Sequence, residues 1–110
     1  MKAPGLTKPF LIGLSLGAIL VIPHTLAQSV PAGKEIFEAQ CVGCHNADST
    51  EAKDGPGLKG IKDGKLPSGA RATHDTILEI LDKGRDLMPS FKELLTSQQK
   101  EDVIAYVLTL

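Results

Sequence analysis

Tryptophan is absent from the 110 residues, and three phenylalanines and one tyrosine are the only other aromatics. Beyond residue 27 only Phe37, Phe91 and Tyr106 remain. A chain of about 80 residues rarely gains more than roughly 3–5 kcal/mol from its own core. So thin a set of large side chains predicts that something besides side chains fills the middle. Excess positive charge is lacking too: the net charge is −1, which excludes a DNA-binding protein held by a basic surface. There is no internal repeat and no low-complexity stretch. The length excludes a second domain, and a hydrophobic content of 42% excludes a disordered chain.

What is present is unevenly spread. Residues 1–27 hold two lysines and no acid, leaving ten basic and thirteen acidic residues in 28–110 and a charge there near −3. Lys2 and Lys8 precede Phe10 to Ile22, an uncharged run of 13 residues. Pro23 and His24 end it, and Thr25-Leu26-Ala27 leads into Gln28. A basic start, a short apolar middle and a small residue before the cut describe a secretory signal over 1–27, removed after Ala27. As a helix the run would rise only about 20 Å against a bilayer core of roughly 30 Å, which argues against an uncleaved anchor. No cysteine follows the expected cut, so nothing points to a lipid anchor. The mature domain, 28–110, is expected in the periplasm or a lumenal or extracellular equivalent.

Three helices are predicted in that domain. The first runs from about Pro31 to Cys41, proline being suited to an early helical position. The second runs from about His74 to Lys83, with Thr73 as cap, Gly84 as terminator and Ile77, Leu78 and Leu81 on one face. The third begins after Thr96, where Thr-Ser-Gln-Gln reads as a capping box with Gln99 at its third position. Val103, Tyr106, Val107 and Leu110 form its core stripe, widened by Ile104 and Leu108. Between the first two, Asn46 to Arg71 holds five glycines and two prolines without strand-like alternation. The fold class is all-α, with a long loop that a packed domain tolerates for a functional reason.

Cys41-Val42-Gly43-Cys44-His45 is the informative run. A disulfide between these cysteines closes too small a loop to staple the chain. A thioredoxin-like motif needs a βαβ setting, whereas this one ends a helix. A structural zinc site needs a fourth ligand, for which His74 is the main candidate, and adjacent Cys44 and His45 fit a tetrahedral site poorly. Covalent haem attachment accounts for all three residues. Two thiols three residues apart can each add to one vinyl group of a macrocycle, and the residue after the second is then held beneath the metal. His45 would present its imidazole to the iron.

Apart from Met1, Met88 is the only methionine. It sits in Leu87-Met88-Pro89, where Pro89 favours extended backbone at Met88 and prevents a helix from resuming through it. Methionine is commonly a core gap-filler, but with a haem in place it is the natural partner of histidine, its thioether favouring ferrous iron and raising the potential. His74, at the first turn of its helix, competes for that role less well.

A helix, Cys-X-X-Cys-His, the turn Gly55-Pro56-Gly57-Leu58, a helix, Met-Pro and a terminal helix resemble, in that order, a class I cytochrome c of the small bacterial soluble type. The resemblance covers nearly all of 31–110. It implies three to four helices around one covalently bound haem, with the first and last helices crossing through Gly33 and Phe37 against Tyr106. It also implies that the Pro56 carbonyl receives the other nitrogen of His45, fixing its orientation, and that Leu58 packs on the haem. The chain departs from mitochondrial members in being acidic rather than lysine-rich and in a shortened central loop.

The expected function is single-electron transfer between redox proteins by one haem c, held by Cys41 and Cys44 with His45 and Met88 as axial ligands. Two axial protein ligands leave no position for peroxide, oxygen or substrate, so no enzyme is expected. A labile Met88 would instead give a haem peroxidase or gas sensor, and a haem-c subunit of a larger dehydrogenase or oxidase is the other alternative. No linker or second anchor follows Leu110, which favours a free monomeric carrier. Partners are expected to be electron donors and acceptors, basic or apolar rather than strongly acidic, with no nucleic acid and no stable membrane insertion. The acids Glu35, Glu38, Asp48, Glu51 and Asp54 are scattered, and Lys59, Lys62 and Lys65 form a loose cluster in the central loop.

Overall fold

The structure, a computed structural model, describes residues 2–5, 7–10, 12, 13, 15, 17–22 and 26–110. Those described before residue 23 are exposed and carry no regular secondary structure. Pro23, His24 and Thr25, which precede the expected cut, lie outside the described residues. Among the described residues no helix is long and apolar enough to cross a membrane.

Among the described residues three helices and one 3-10 turn make the fold: α1 (Val30–Gln40), the turn Ile61–Asp63, α2 (His74–Lys83) and α3 (Ser97–Val107). α1 starts one residue earlier than Pro31 and stops before Cys41. Ser29 caps it, its Oγ accepting from Ala32 N at 3.3 Å, while Cys41 becomes the C-cap. α2 has the predicted bounds, and Thr73 and Thr76 cap it reciprocally. Asp75 in its first turn and Lys83 in its last suit the helix dipole. α3 opens on the predicted capping box: Thr96 Oγ1 accepts from Gln99 N at 3.1 Å and Gln99 Oε1 from Thr96 N at 2.9 Å. The helix closes at Val107, so Leu110 lies beyond it. There the Leu110 carbonyl accepts from Gly60 N at 2.8 Å and ties the chain end to the central loop.

α1 packs on α3. A β-carbon at Gly33 would overlap the Asp102 carbonyl and approach Tyr106 Cβ to 2.9 Å, so glycine is what allows the approach. Four residues on, Phe37 meets Tyr106 edge-on with ring centroids 5.4 Å apart. Phe37, Val103 and Ile104 are fully buried, each contributing about 1.5–3 kcal/mol by leaving water. Ile104, expected only to widen the stripe, is at its centre. Asp102, on the same helix, is buried, its Oδ1 accepting from Ser29 N at 2.8 Å and Gln98 Nε2 at 3.0 Å. Gln98 Nε2 also donates to the Ala27 carbonyl, and Gln28 Nε2 to Glu101 at 3.0 Å, so residues 27–29 are pinned to α3. α2 is fixed to α3 by Lys100 with Asp82 at 2.7 Å and His74 with Glu101 at 2.8 Å.

Candidate functional site

Beyond α1 the backbone turns on itself, with Cys44 N and His45 N both donating to the Cys41 carbonyl at 3.1 and 2.9 Å. The following loop folds back against this turn. Gly55 N donates to the Cys44 carbonyl at 2.9 Å, Leu58 N to that of Asn46 at 2.8 Å, and Lys53 Nζ to that of Val42 at 3.0 Å. Pro56 is thereby brought to the imidazole: His45 Nδ1 donates to the Pro56 carbonyl at 2.8 Å. A carbonyl can only accept, so the proton is on Nδ1 and the lone pair of Nε2 is left for a ligand. Gly55 is required here for a reason the sequence does not display. A β-carbon on it would come within 2.5 Å of His45 Cε1 and 2.9 Å of Nδ1.

Met88 arrives from the other direction. After α2 the chain makes a tight turn, Arg85 N donating to the Met88 carbonyl at 2.9 Å and Met88 N to that of Arg85 at 2.7 Å. Asp86 takes a left-handed φ of 49° within it. Phe91 N then donates to the Leu81 carbonyl at 2.6 Å, which holds the segment against α2.

These two segments face a common cavity of about 300 Å³. Cys41, Cys44, His45, Pro56, Leu58 and Met88 all line it, so the six residues singled out from the sequence are brought together. The rest of the wall is largely apolar and includes the core residues Phe37, Ile77, Leu81, Phe91 and Val107. His74 does not line it. Its nitrogens face Asp75 and Glu101 at 2.9 and 2.8 Å, and Asp75 foremost, then Glu101, raise its pKa above the ordinary 6.5. The zinc alternative therefore loses its fourth ligand, and among the described residues no three His, Cys, Asp or Glu side chains converge as metal ligands. Both cysteines are free. Burial, with Cys44 adding to it, pushes the Cys41 thiol up to about 11, the reverse of the depressed thiol of exchange enzymes.

The donor set and the cavity fit a covalently held haem. Two thiols stand at the rim, an oriented imidazole and a thioether share the lining, and the wall is apolar enough for a porphyrin face. Besides the expected six, the lining includes Asp54, Arg85 and Asp86. Nothing in their spacing separates these three from other exposed charges, and Asp54 counts in the sequence only as one of the scattered acids.

Comparison with known proteins agrees with this geometry. A family profile described as "Cytochrome C oxidase, cbb3-type, subunit III" matches residues 28–107. The chain is 33% identical to cytochrome c6 of Rippkaea orientalis over 91 residues, 83% of this chain and 79% of the relative. It is 32% identical to cytochrome c6 of Synechocystis over 105 residues, 94% of this chain and 83% of the relative. The crystal structure of cytochrome c6 from the diatom Phaeodactylum tricornutum superposes with a TM-score of 0.59 at 32% identity, covering 74% of this chain and 92% of the diatom protein. The profile match over 28–107, the relatives above 30% identity that this chain covers over most of its length and the shared all-α fold show together that the chain belongs to the monohaem class I cytochrome c family.

Proposed function

We propose that the mature chain is a free carrier of single electrons between redox proteins outside the cytoplasm, with one haem c joined to it through thioethers at Cys41 and Cys44. The observation that carries this is the convergence of Cys41, Cys44, His45 and Met88 on one cavity, with His45 Nδ1 committed to Pro56 at 2.8 Å. Haem c bound there would supply an Fe(II)/Fe(III) couple. His45, through Nε2, and Met88 would hold the iron, with Pro56 keeping the ring turned toward the cavity. Two protein ligands kept in both oxidation states would let the electron pass with little rearrangement of the residues that hold the iron. The Met88 thioether would favour the ferrous form and raise the potential. Leu58 and the aromatic and aliphatic wall would exclude water from the macrocycle. Residues 1–27 would direct export to the periplasm, or an equivalent compartment, and be removed.

Expression with a periplasmic haem-attachment system tests this reading. The purified protein should begin at Gln28, carry the added mass of one haem and show the visible spectrum of a low-spin c-type cytochrome. It should resist rapid binding of cyanide or carbon monoxide. A protein without the added tetrapyrrole, or one whose resting form binds those ligands at once, would defeat the proposal. The description of the matching family profile favours a second reading, a haem-c subunit of a larger oxidase. Stable co-purification with a membrane oxidase would establish it over the free carrier.

A further inference from the structure

We propose that Arg85 is the counter-ion of a haem propionate, an assignment that rests on the haem reading above. The two carboxylate arms of haem sit on different pyrrole rings from its two vinyl arms. Tethering at Cys41 and Cys44 therefore sends the carboxylates to a part of the cavity rim that the cysteines do not occupy. Charged residues along the lining are few: Asp54, Arg85 and Asp86. Asp54 stands at the thioether end, its Oδ2 3.9 Å from Cys44 Sγ. Arg85 is left as the one Lys or Arg lining this cavity among the described residues.

Its side chain is also uncommitted. Lys83 is paired with Glu79 and Lys100 with Asp82, whereas Arg85 has no carboxylate within 4.0 Å among the described residues. Position points the same way. Leu66, Ile80 and Arg85 also line an adjoining cleft, whose other walls include Ser68, Thr76, Glu79 and Lys83. Arg85 thus marks the place where the surroundings pass from apolar to polar, which is where the carboxylate end of an amphiphilic ring belongs. A carboxylate at such a rim without a cation would be driven toward its neutral form. A guanidinium offers it two parallel donors and permanent charge. The Arg85–Met88 turn holds this cation in register with the expected sulfur ligand.

The test is the midpoint potential of the holoprotein as a function of pH, for wild type, Arg85→Gln, Arg85→Lys and Lys59→Gln, the last removing the same charge from an exposed position outside the cavity lining. The propionate ionisation should move up by about 1–3 pH units in Arg85→Gln. It should return most of the way in Arg85→Lys and stay in place in Lys59→Gln. A profile for Arg85→Gln that superposes on wild type, or moves no further than that of Lys59→Gln, overturns the assignment. Visible spectra with the near-infrared sulfur–iron band separate the two levels. An intact spectrum with an unmoved profile overturns Arg85 alone, and a wild-type chain with no haem spectrum overturns the haem reading and Arg85 with it.

Discussion

A methyl group at residue 55 would press on the ring that the site depends on. Gly55→Ala places its new carbon within 2.5 Å of His45 Cε1, so the imidazole must tilt or the loop must move, and the hydrogen bond to Pro56 loosens either way. The expected cost is about 1–3 kcal/mol of holoprotein stability, read from the melting temperature, with a shifted Soret band reporting the strained ligand. Met88→Ala removes the sulfur and leaves the fold, since Met88 is only partly buried against the core. That variant should lose the near-infrared sulfur–iron band, lower the potential and admit cyanide rapidly; an unchanged spectrum would show Met88 to be filler. Met88 was legible by itself in the sequence, where a lone methionine before proline is conspicuous, and Gly55 only as a member of the Gly55-Pro56-Gly57-Leu58 turn. The requirement at residue 55 arises from a ring ten residues earlier, and no local pattern encodes it. Arg85 is set apart from the other cations only by the cavity it lines, which no local pattern encodes either.

The helices were legible to within a residue, save for the end of α3, which closes three residues before Leu110, because their signals are local: Thr73 and Thr96 cap, Gly84 stops, and apolar residues recur at helical spacing. What joins the helices was less so. An acid in a helix ordinarily marks the solvent side, yet Asp102 is buried, because the Ser29 amide and the Gln98 amide reach it, the first from 73 residues away. Asp102→Ala should cost about 1.5–3 kcal/mol, as a bond to a charged acceptor is lost and the Ser29 N–H is left without its partner. Denaturant unfolding of the holoprotein measures this. His74 offers a pH-dependent counterpart between α2 and α3. Asp75 and then Glu101 raise its folded pKa above 6.5, but the Asp75 side chain is 95% exposed and solvent screens that pair, so the bond to Glu101 carries the coupling. A raised basic pKa stabilises fully below 6.5, and the contribution fades as pH rises through the folded value. The pKa of Glu101 is lowered, by Gln28 first and His74 after it, so that residue stays ionised in mild acid. The melting temperature lost in His74→Ala should therefore be larger near about pH 5.5 than near about pH 8, and equal losses at both would show that the bridge contributes no linkage.

On the scale of the whole molecule, the scarcity of aromatics acquires a physical meaning. Phe37, Ile77, Leu81, Phe91 and Val107 belong to the buried core and at the same time line the cavity. Their outer faces are therefore half of a packing arrangement whose other half is the proposed macrocycle. Helix order and the Cys-X-X-Cys-His run made that arrangement legible in outline, whereas the shape of the cavity comes only from long-range closure, such as the strap from Leu110 to Gly60. Emptying the cavity leaves these apolar faces in contact with water or forces the walls to collapse, and either outcome withdraws contacts from a domain whose own core supplies little. A Cys41→Ala/Cys44→Ala chain, unable to form thioethers, should accordingly be largely unfolded, with weak helical circular dichroism and no cooperative thermal transition. The same chain supplied with free haem should regain part of its helicity in proportion to haem bound, since a ligand that binds only the folded form draws the equilibrium toward it. A sharp transition in the haem-free variant at the wild-type temperature would mean that the protein core suffices by itself.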